Sequence, residues 1–418
     1  MVVNWQAFMG VAAILAFAVL LSTNRRAIRL RIVIAALLLQ AGLAALSLYL
    51  PPGRAALGAM SDGVQALINF SSAGIAMVFG PLASEVGFSF AINVLPIIIF
   101  FSALMSVLYH IGVMQLIVAW VGGGLRILVG AGRVESLTAA ANVFVGQTEA
   151  PLVVRPYLPH VTRPQLFAIM TTGMASVAGS VLAAYAQMGI NVEYLLAASF
   201  MSAPGGLLMA KIVMPDDKPQ AAAPAGPQTE APAPAKETEP TVEHKPHANV
   251  IMAAAAGAQD GLILAASIAA MLIAFVSLIA MLNGGLGYLG AALGVETLSL
   301  QMLLGYVFAP VMWLLDIPWS EAQLAGGVFG EKLILNEFVA FMHLGQMAET
   351  LSPRTMAITT FALCGFANLS SIGILMAALN TLAPARAPEM ARYGLHVVAA
   401  ASLSNLMSAA LASVFITG

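Results

Sequence analysis

The sequence has little charge and almost no cysteine. Asp, Glu, Lys and Arg make up 9% of the 418 residues, whereas 60% are hydrophobic. A soluble domain carries roughly 25% charged residues, so this composition excludes an ordinary soluble enzyme. The single cysteine, Cys364, excludes an internal disulfide and a cysteine-based metal site. The net charge of −2 gives no indication of nucleic-acid binding.

Catalytic signatures are lacking as well. The scattered histidines have no metal-binding spacing, and the chain shows no Ser/His/Asp arrangement, no phosphate-binding loop and no dinucleotide-binding glycine motif. We therefore expect a protein that is not an enzyme and needs no cofactor. Because no ATP-binding module is visible either, any work that it does has to be driven by a gradient.

Long apolar runs dominate what is present. Five shorter, glycine-rich or more polar stretches lie between them and do not plainly cross a bilayer. Continuous runs of this length are typical of membrane-spanning helices, so we expect an all-α polytopic membrane protein with about eight transmembrane helices. The predicted spans lie near residues 7–22, 32–50, 91–112, 163–187, 191–212, 258–283, 355–380 and 393–416.

Basic residues indicate the orientation. If the first span enters from outside, the loops on the inner side carry eleven Lys or Arg, Lys211 among them, and those on the outer side carry three, namely Arg54, Lys332 and Arg354. This asymmetry satisfies the positive-inside rule. We expect a multi-pass protein of the inner membrane with both termini on the outer, periplasmic side.

A segment rich in Pro and Ala divides the chain. Eight of the 22 prolines fall within residues 215–248, and such a composition cannot bury enough apolar surface to fold. We expect a disordered cytoplasmic linker over 214–249. The other predicted units are N-terminal scaffold helices and an interfacial segment (1–90), a first half with a hairpin at 137–160 (91–213), and a second half with a hairpin at 318–345 (250–418).

The two halves contain matched motifs. GQTEAP at 146–151 precedes the linker and NEF at 336–338 follows it, and each glutamate is followed by a small polar cluster inside an apolar run, GMASVAG at 173–179 and GFANLSS at 365–371. Halves of opposite orientation with interrupted helices at matching positions are typical of secondary transporters. Broken helix is tolerated in hydrocarbon only where it lines a cavity or contacts a ligand. We expect an inverted repeat.

The two motif glutamates, Glu149 and Glu337, give the sharper indication of function. A carboxylate at membrane depth costs on the order of 3 kcal/mol, so it is retained for a site or a pathway. Asn368, Ser370 and Ser371 add amide and hydroxyl groups that suit a polyhydroxylated solute. We expect two buried carboxylates that bind one neutral solute, because no cluster of Arg or Lys is present to bind an anion.

At these motifs the chain resembles the concentrative nucleoside transporter family, and its bacterial sodium-coupled members in particular. The resemblance covers essentially the whole chain outside the linker. It implies a homotrimer in which each protomer has a scaffold domain and a transport domain with two re-entrant hairpins. It also implies a nucleoside that lies between the hairpin tips and the helix breaks. By motif position, the base would contact Gln147, Thr148 and Glu149, the ribose would contact Glu337, Asn368 and Ser371, and the apolar walls would be Val181, Leu264 and Phe366.

The same resemblance implies a cation site. It would consist of the side chains of Asn142 and Ser176 and the backbone carbonyls of Val145 and Val177, all of them oxygen ligands that suit a hard ion. Asn142 does not titrate near neutral pH, which favours sodium over a proton as the coupling ion. The expected function is nucleoside uptake driven by an inward sodium gradient. A proton-coupled nucleoside symporter and a passive channel for small neutral solutes are the alternatives, and purine or pyrimidine preference stays open.

Overall fold

The computed structural model describes residues 5–85, 89–216, 247–295 and 298–416. Within these ranges the chain consists of helices and connecting turns, without a β-strand. This confirms the all-α class. Most of the predicted linker, residues 217–246, lies outside the described residues.

Four helices precede the first half of the chain. Pro51 begins the longest of them and occupies the first helical position, where its missing N–H leaves no hydrogen bond unmade. The four are α1 (Trp5–Leu20), α2 (Leu30–Leu48), α3 (Pro51–Phe79) and α4 (Leu82–Glu85), with a 3-10 turn (Arg25–Ala27) between α1 and α2.

The first half contains six α-helices. A short π-helical turn (Phe90–Val94) leads into it, and a 3-10 helix (Ala150–Tyr157) follows α7 and packs against it. The six are α5 (Leu95–His110), α6 (Val113–Val129), α7 (Arg133–Asn142), α8 (Arg163–Ala175), α9 (Gly179–Gln187) and α10 (Val192–Val213).

In the first half, two packed helices (α7 and the 3-10 helix) are followed by an interrupted helix (α8 and α9) and an unbroken one (α10). The second half repeats this order after α11 and α12. Two helices that pack against each other (α13 and α14) are again followed by an interrupted helix (α15 and α16) and then by an unbroken one (α17). The helices are α11 (Val250–Leu293), α12 (Leu300–Leu314), α13 (Trp319–Ile334), α14 (Glu337–Gln346), α15 (Pro353–Leu363), α16 (Leu369–Leu382) and α17 (Ala387–Phe415), with a 3-10 turn (Pro384–Arg386) before the last.

Six helical segments are long and apolar enough to cross a membrane, or seven if the bent pair α12–α13 counts as one span. The expected eight included α1, whose 16 described residues fall short of a full crossing, and α15–α16, whose two parts are 11 and 14 residues long. The pair α12–α13 was not expected to cross, and the chain bends by 118° between its two helices. The polytopic class is unaffected.

The core lies around α8–α9, α10 and α17. The apolar window of α8–α9 is 94% buried, whereas those of α2, α5 and α11 are each 22% buried. The outer helices therefore present apolar side chains outward, as helices in contact with lipid do. The interrupted helix of the first half is shielded on all sides by protein.

We call α7 and the 3-10 helix packed against it the first hairpin, and α13 with α14 the second. A buried ion pair joins the start of α7 to α10. The Nζ of Lys211 lies 2.6 Å from a carboxylate oxygen of Glu135 and 2.6 Å from one of Asp216. The other Glu135 oxygen accepts the N–H of Gly132 at 2.8 Å and so caps α7. Lys211 was expected in an inner-side loop, but it lies in the last turn of α10 and its ammonium is buried between these two carboxylates.

Two glycines let α11 pack closely against α5. A Cβ at Gly257 would lie 2.6 Å from the carbonyl oxygen of Ser102, and one at Gly261 would lie 2.8 Å from the Cα of Ile99. Ser106 donates a hydrogen bond across this contact to the carbonyl of Ala253 at 2.7 Å. Small residues spaced by four allow such approach between membrane helices.

We predict that Gly257→Leu separates α5 from α11 and destabilises the protein, because overpacking costs about 1–3 kcal/mol. Gly284→Leu on the same helix is the matched control, since no atom lies within 4 Å of its added Cβ. Thermal unfolding in detergent measures the difference. Equal midpoints for the two variants would contradict this account of the contact.

Candidate functional site

The tip of the first hairpin contacts the break between α8 and α9. The N–H of Gly179 donates to the carbonyl of Phe144 at 3.0 Å, and the hydroxyl of Ser176 donates to the carbonyl of Asn142 at 2.6 Å. A Cβ at Gly179 would lie 2.9 Å from the Phe144 carbonyl oxygen. Glycine at position 179 is therefore what permits this approach.

The tip of the second hairpin contacts the break between α15 and α16 in a corresponding way. The amide of Asn368 donates to the Glu337 carboxylate at 2.9 Å, and the hydroxyl of Ser370 lies 3.2 Å from the carbonyl of Leu335. The side chain of Asn336 accepts the N–H of Val339 at 3.0 Å and thereby caps α14. The hairpin turn and the break are joined by side chains.

Glu337 is buried beside two helix N-termini. It is the first residue of α14, and the Asn368 that donates to it caps α16 by accepting the N–H of Ser371 at 2.8 Å. Helix N-termini carry partial positive charge and stabilise anions. The second carboxylate oxygen accepts the Tyr185 hydroxyl at 3.0 Å, so both oxygens have partners. These contacts offset the cost of burying a carboxylate.

The two hairpin–break units meet each other. The amide of Gln147, in the first hairpin, donates to the hydroxyl of Ser371 in α16 at 3.2 Å. The N–H of Phe366, in the second break, donates to the carbonyl of Ser176 in the first at 3.1 Å. Motifs that lie more than 180 residues apart in the sequence thus form one site.

Two buried amide oxygens in this site have no hydrogen-bond partner within the described ranges, those of Asn142 and Gln147. The amide nitrogen of Asn142 donates to the carbonyl of Thr138 at 3.0 Å, which fixes the direction of the oxygen. A buried acceptor without a partner costs about 1–3 kcal/mol. The site is therefore built to receive a cation or a hydrogen-bond donor from outside the chain.

The predicted cation ligands are all buried and lie at the first hairpin and the first break. Asn142 ends α7, Val145 follows it in the hairpin turn, and Ser176 and Val177 form the break. Their donor atoms are amide, hydroxyl and carbonyl oxygens, which fit a hard monovalent or divalent cation. The residues present therefore fit a cation.

The remaining predicted residues surround this centre with different degrees of exposure. Val181 is buried in α9, whereas Phe366, Thr148 and Leu264 are half-buried. The carboxylate of Glu149 interacts electrostatically with Asp260, which lies on α11 one turn before Leu264. Because residues four apart share a helix face, Leu264 lies on the side of α11 that faces the first hairpin.

Glu149 differs from Glu337 in its burial. Its side chain keeps an accessible surface although protein atoms surround the carboxylate, and the carboxylate makes no hydrogen bond to any residue that the structure describes. The expectation of two buried carboxylates holds fully for Glu337, whereas Glu149 lies within the protein and stays accessible. The reason is local: Glu149 lies at the rim of the hairpin turn just before Pro151, where no neighbouring donor reaches it.

Three buried polar residues of the centre were not expected from the sequence. Tyr185 packs its ring 4.3 Å from that of Phe341, which directs its hydroxyl to Glu337. Lys332 was expected in an outer loop, but its side chain is fully buried at the end of α13, and Asn405 is buried in α17. A lysine five residues before a motif glutamate, in an apolar run, was the available signal.

The fold and this centre together define a membrane transporter: interrupted helices meet hairpin tips deep inside a polytopic helical protein. Comparison with known proteins gives the family. Profiles for the N-terminal and C-terminal parts of Na+-dependent nucleoside transporters match residues 9–82 and 194–413, and a profile for nucleoside recognition matches residues 91–191. The chain belongs to the concentrative nucleoside transporter family.

Individual relatives match this chain over nearly their whole length. An uncharacterized transporter of Haemophilus influenzae is 48% identical over 98% of this chain and 97% of the relative. The nucleoside permease NupC of Helicobacter pylori is 45% identical over 97% and 96%. A structure of CNTnw in an inward-facing substrate-bound state is 47% identical and superimposes with a TM-score of 0.90 over 98% and 97%.

We predict that Gly179→Ala weakens the contact between the first hairpin and the first break, because the added Cβ meets a backbone carbonyl that cannot turn away. Gly146→Ala is the matched control, since its Cβ would lie 3.5 Å from that of Ala178, an ordinary contact. Hydrogen exchange at residues 176–181 should be faster in Gly179→Ala than in Gly146→Ala. Equal exchange in the two variants would show that position 179 does not control the contact.

Proposed function

We propose that this protein is a secondary active symporter that takes up nucleosides with sodium. The observation that carries the proposal is the juxtaposition of two unpartnered buried oxygens, on Asn142 and Gln147, with the carboxylate–amide network of Glu337 and Asn368. The Gln147–Ser371 hydrogen bond connects the two parts. A cation and a hydrogen-bonding solute can therefore be bound side by side.

Sodium is the proposed coupling ion because the ligand set consists of neutral oxygens. The amide oxygen of Asn142 and the hydroxyl of Ser176 would bind it together with the carbonyls of Val145 and Val177. A proton carrier needs a group that titrates, and none of these four side chains does so near neutral pH. The description of the matching profiles as Na+-dependent supports the same choice.

A nucleoside fits the remaining groups. Glu337 and Asn368 present a carboxylate and an amide to ribose hydroxyls, and the free oxygen of Gln147 can accept an N–H of the base. Thr148, Glu149 and Ser371 extend the polar surface, and Val181, Leu264 and Phe366 would contact the apolar faces of the solute. The name of the relative NupC, a nucleoside permease, supports this substrate class.

In this mechanism the cation orders the site before the nucleoside binds. A cation between Asn142 and Ser176 would tie the first hairpin to the first break and fix Gln147 in place. A nucleoside that binds afterwards loses less conformational freedom, so its affinity rises. The loaded hairpins and broken helices would move as one transport domain against scaffold helices, which carries the site across the bilayer.

The finer organisation stays a prediction. It comprises a homotrimer, which the family resemblance implies, and an inverted repeat, both termini on the periplasmic side of the inner membrane, and the division into units at residues 90, 213 and 249. The repeated order of hairpin, interrupted helix and unbroken helix supports the inverted repeat.

Uptake of radiolabelled uridine into proteoliposomes tests the proposed function. An inward sodium gradient should drive uridine above its equilibrium level, and equal sodium on both sides should abolish that accumulation. Accumulation driven by a pH gradient without sodium would identify a proton symporter instead. Equilibration that ignores both gradients would identify a passive channel.

We predict that Asn142→Ala lowers the apparent sodium affinity of uptake at least tenfold while the maximal rate at saturating sodium changes less. The variant removes a proposed cation ligand, a side-chain oxygen whose direction is fixed and which has no partner among the described residues. Asn69→Ala is the control, because Asn69 is an exposed amide on α3. An unchanged sodium dependence of uptake in Asn142→Ala would place the ion site elsewhere.

We predict that Glu337→Gln weakens nucleoside binding by roughly tenfold to a hundredfold, because a charge-assisted hydrogen bond worth about 1.5–3 kcal/mol is lost. The substitution also opposes an NH2 group to one of the two donors, Tyr185 or Asn368. Calorimetry with uridine at saturating sodium measures the change. Glu349→Gln, an exposed position after α14, serves as control, and wild-type affinity in Glu337→Gln would contradict the assignment.

A further inference from the structure

Lys332 is a fully buried lysine that the proposed transport steps do not use. Its Nζ donates to the carbonyl of Ala362 at 2.9 Å and to the side-chain oxygen of Asn405 at 2.6 Å. A buried ammonium is expensive unless it is paired and hydrogen-bonded. Glu337, which attracts it electrostatically, offsets part of that cost, but the hydrogen bonds of Lys332 run to the helix that ends at the second break and to α17.

Asn405 contacts both interrupted helices at once. Its Nδ2 donates to the carbonyl of Ala175 at 2.7 Å and to the carbonyl of Cys364 at 2.9 Å. These are the carbonyls at which α8 and α15 stop, so each would otherwise lack a partner. One side-chain amide therefore caps the C-terminal ends of two broken helices from opposite halves of the chain.

Glycine at position 365 allows Asn405 and the first break to approach the second break. A Cβ on Gly365 would collide with the side chain of Asn405 and would lie 2.8 Å from the carbonyl oxygen of Ala175. The next residue, Phe366, donates its N–H to the carbonyl of Ser176. The two breaks therefore touch directly, and the Lys332–Asn405 pair holds the place where they touch.

We infer that Lys332 and Asn405 form a clamp that transmits sodium occupancy at the first break to the nucleoside site at the second. We call this pair the Lys332–Asn405 clamp, and both members are positioning residues. The inference rests on the proposed function, because it assigns the path by which one ligand of that site affects the other.

The path is short and consists of hydrogen bonds to buried groups. Ala175 adjoins Ser176, a proposed cation ligand, and Cys364 lies four residues before Asn368, a proposed ribose ligand. When a cation fixes Ser176, it fixes the Ala175 carbonyl, and through Asn405 the end of α15. If either carbonyl moved away alone, a buried amide N–H would be left unpaired, so the two breaks are ordered together.

A simpler role for Lys332 is to neutralise Glu337, and Asn405→Leu separates the two possibilities because it changes no charge. This variant has nearly the shape of Asn and removes the NH2 group that caps both carbonyls, while Lys332 keeps its hydrogen bond to Ala362 and its attraction to Glu337. Charge neutralisation predicts that this variant still couples the two ligands. The clamp predicts that it uncouples them.

The test is the ratio of uridine dissociation constants without and with saturating sodium, measured by calorimetry on the full chain in detergent, with choline replacing sodium. We expect a wild-type ratio well above one and a ratio in Asn405→Leu reduced at least fivefold. Linkage requires that uridine's effect on sodium affinity fall by the same factor. Thr359→Val, at a buried hydroxyl of α15 without a partner among the described residues, should keep the wild-type ratio.

An unchanged ratio in folded Asn405→Leu would overturn the clamp and leave the proposed symport intact. A wild-type ratio of one would overturn sodium coupling itself, and the clamp with it. The two failures are therefore distinguishable.

Hydrogen exchange on the wild-type protein decides the matter if Asn405→Leu does not fold. Sodium alone, without nucleoside, should slow exchange both at residues 173–179 and at residues 362–368, with α2 (Leu30–Leu48) as the unaffected reference. Protection confined to 173–179 would overturn the clamp, because the second break would then not respond to the ion.

Discussion

The centre of this molecule depends on one constraint: every backbone polar group that is freed by breaking a helix inside the membrane needs a partner. At the first break the carbonyl of Ala175 accepts from Asn405, the carbonyl of Ser176 accepts from Phe366, and the N–H of Gly179 donates to the first hairpin. The breaks are therefore rigid junctions. The hairpins are needed for the interrupted helices to exist, which explains why hairpin and break motifs occur as pairs in the sequence.

This pairing of polar groups also determines which polar atoms in the centre lack a hydrogen-bond partner. Most polar groups in the centre are paired within the chain, so the free amide oxygens of Asn142 and Gln147 stand out. Other described side chains also keep a buried polar atom without a partner, but these two amide oxygens lie where the first hairpin meets the first break. Ligands that supply a cation or a donor there stabilise the protein as well as bind to it.

Much of this arrangement could be predicted from the sequence, because apolar run length and motif order are local signals. The paired glutamates and the glycine-containing clusters placed the hairpins and the breaks near the observed elements. Lys332 and Lys211 were misplaced because a window of hydropathy treats any basic residue as a loop residue. Their burial depends on partners such as Asn405, 73 positions away, and Glu135, 76 positions away, and no local pattern reveals such partners.

The number of spans was harder to predict for a related reason. Hydropathy records how apolar a segment is, but a crossing also needs unbroken length. The run at 355–380 is apolar enough on average to suggest a span, yet it folds as two short helices because residues 364–368 leave the helical path. Conversely, α12 and α13 each looked unfit to cross and together form a bent pair. Interrupted helices thus make the number of membrane spans hard to count from hydropathy.

The two motif glutamates are presented to a ligand in different states, and this difference has an energetic consequence. Glu337 is held by Tyr185 and Asn368 before any ligand binds, so contacts to it cost no further side-chain ordering. The Glu149 side chain is accessible and makes no hydrogen bond within the described part of the chain, so a ligand that engages it must also order it, at a cost of up to about 2 kcal/mol. Under the proposed function, the sugar side of the site is preorganised and the base side is adjustable. Recognition of the ribose should therefore be the stricter of the two, since a misplaced hydroxyl meets a carboxylate that cannot move to reach it.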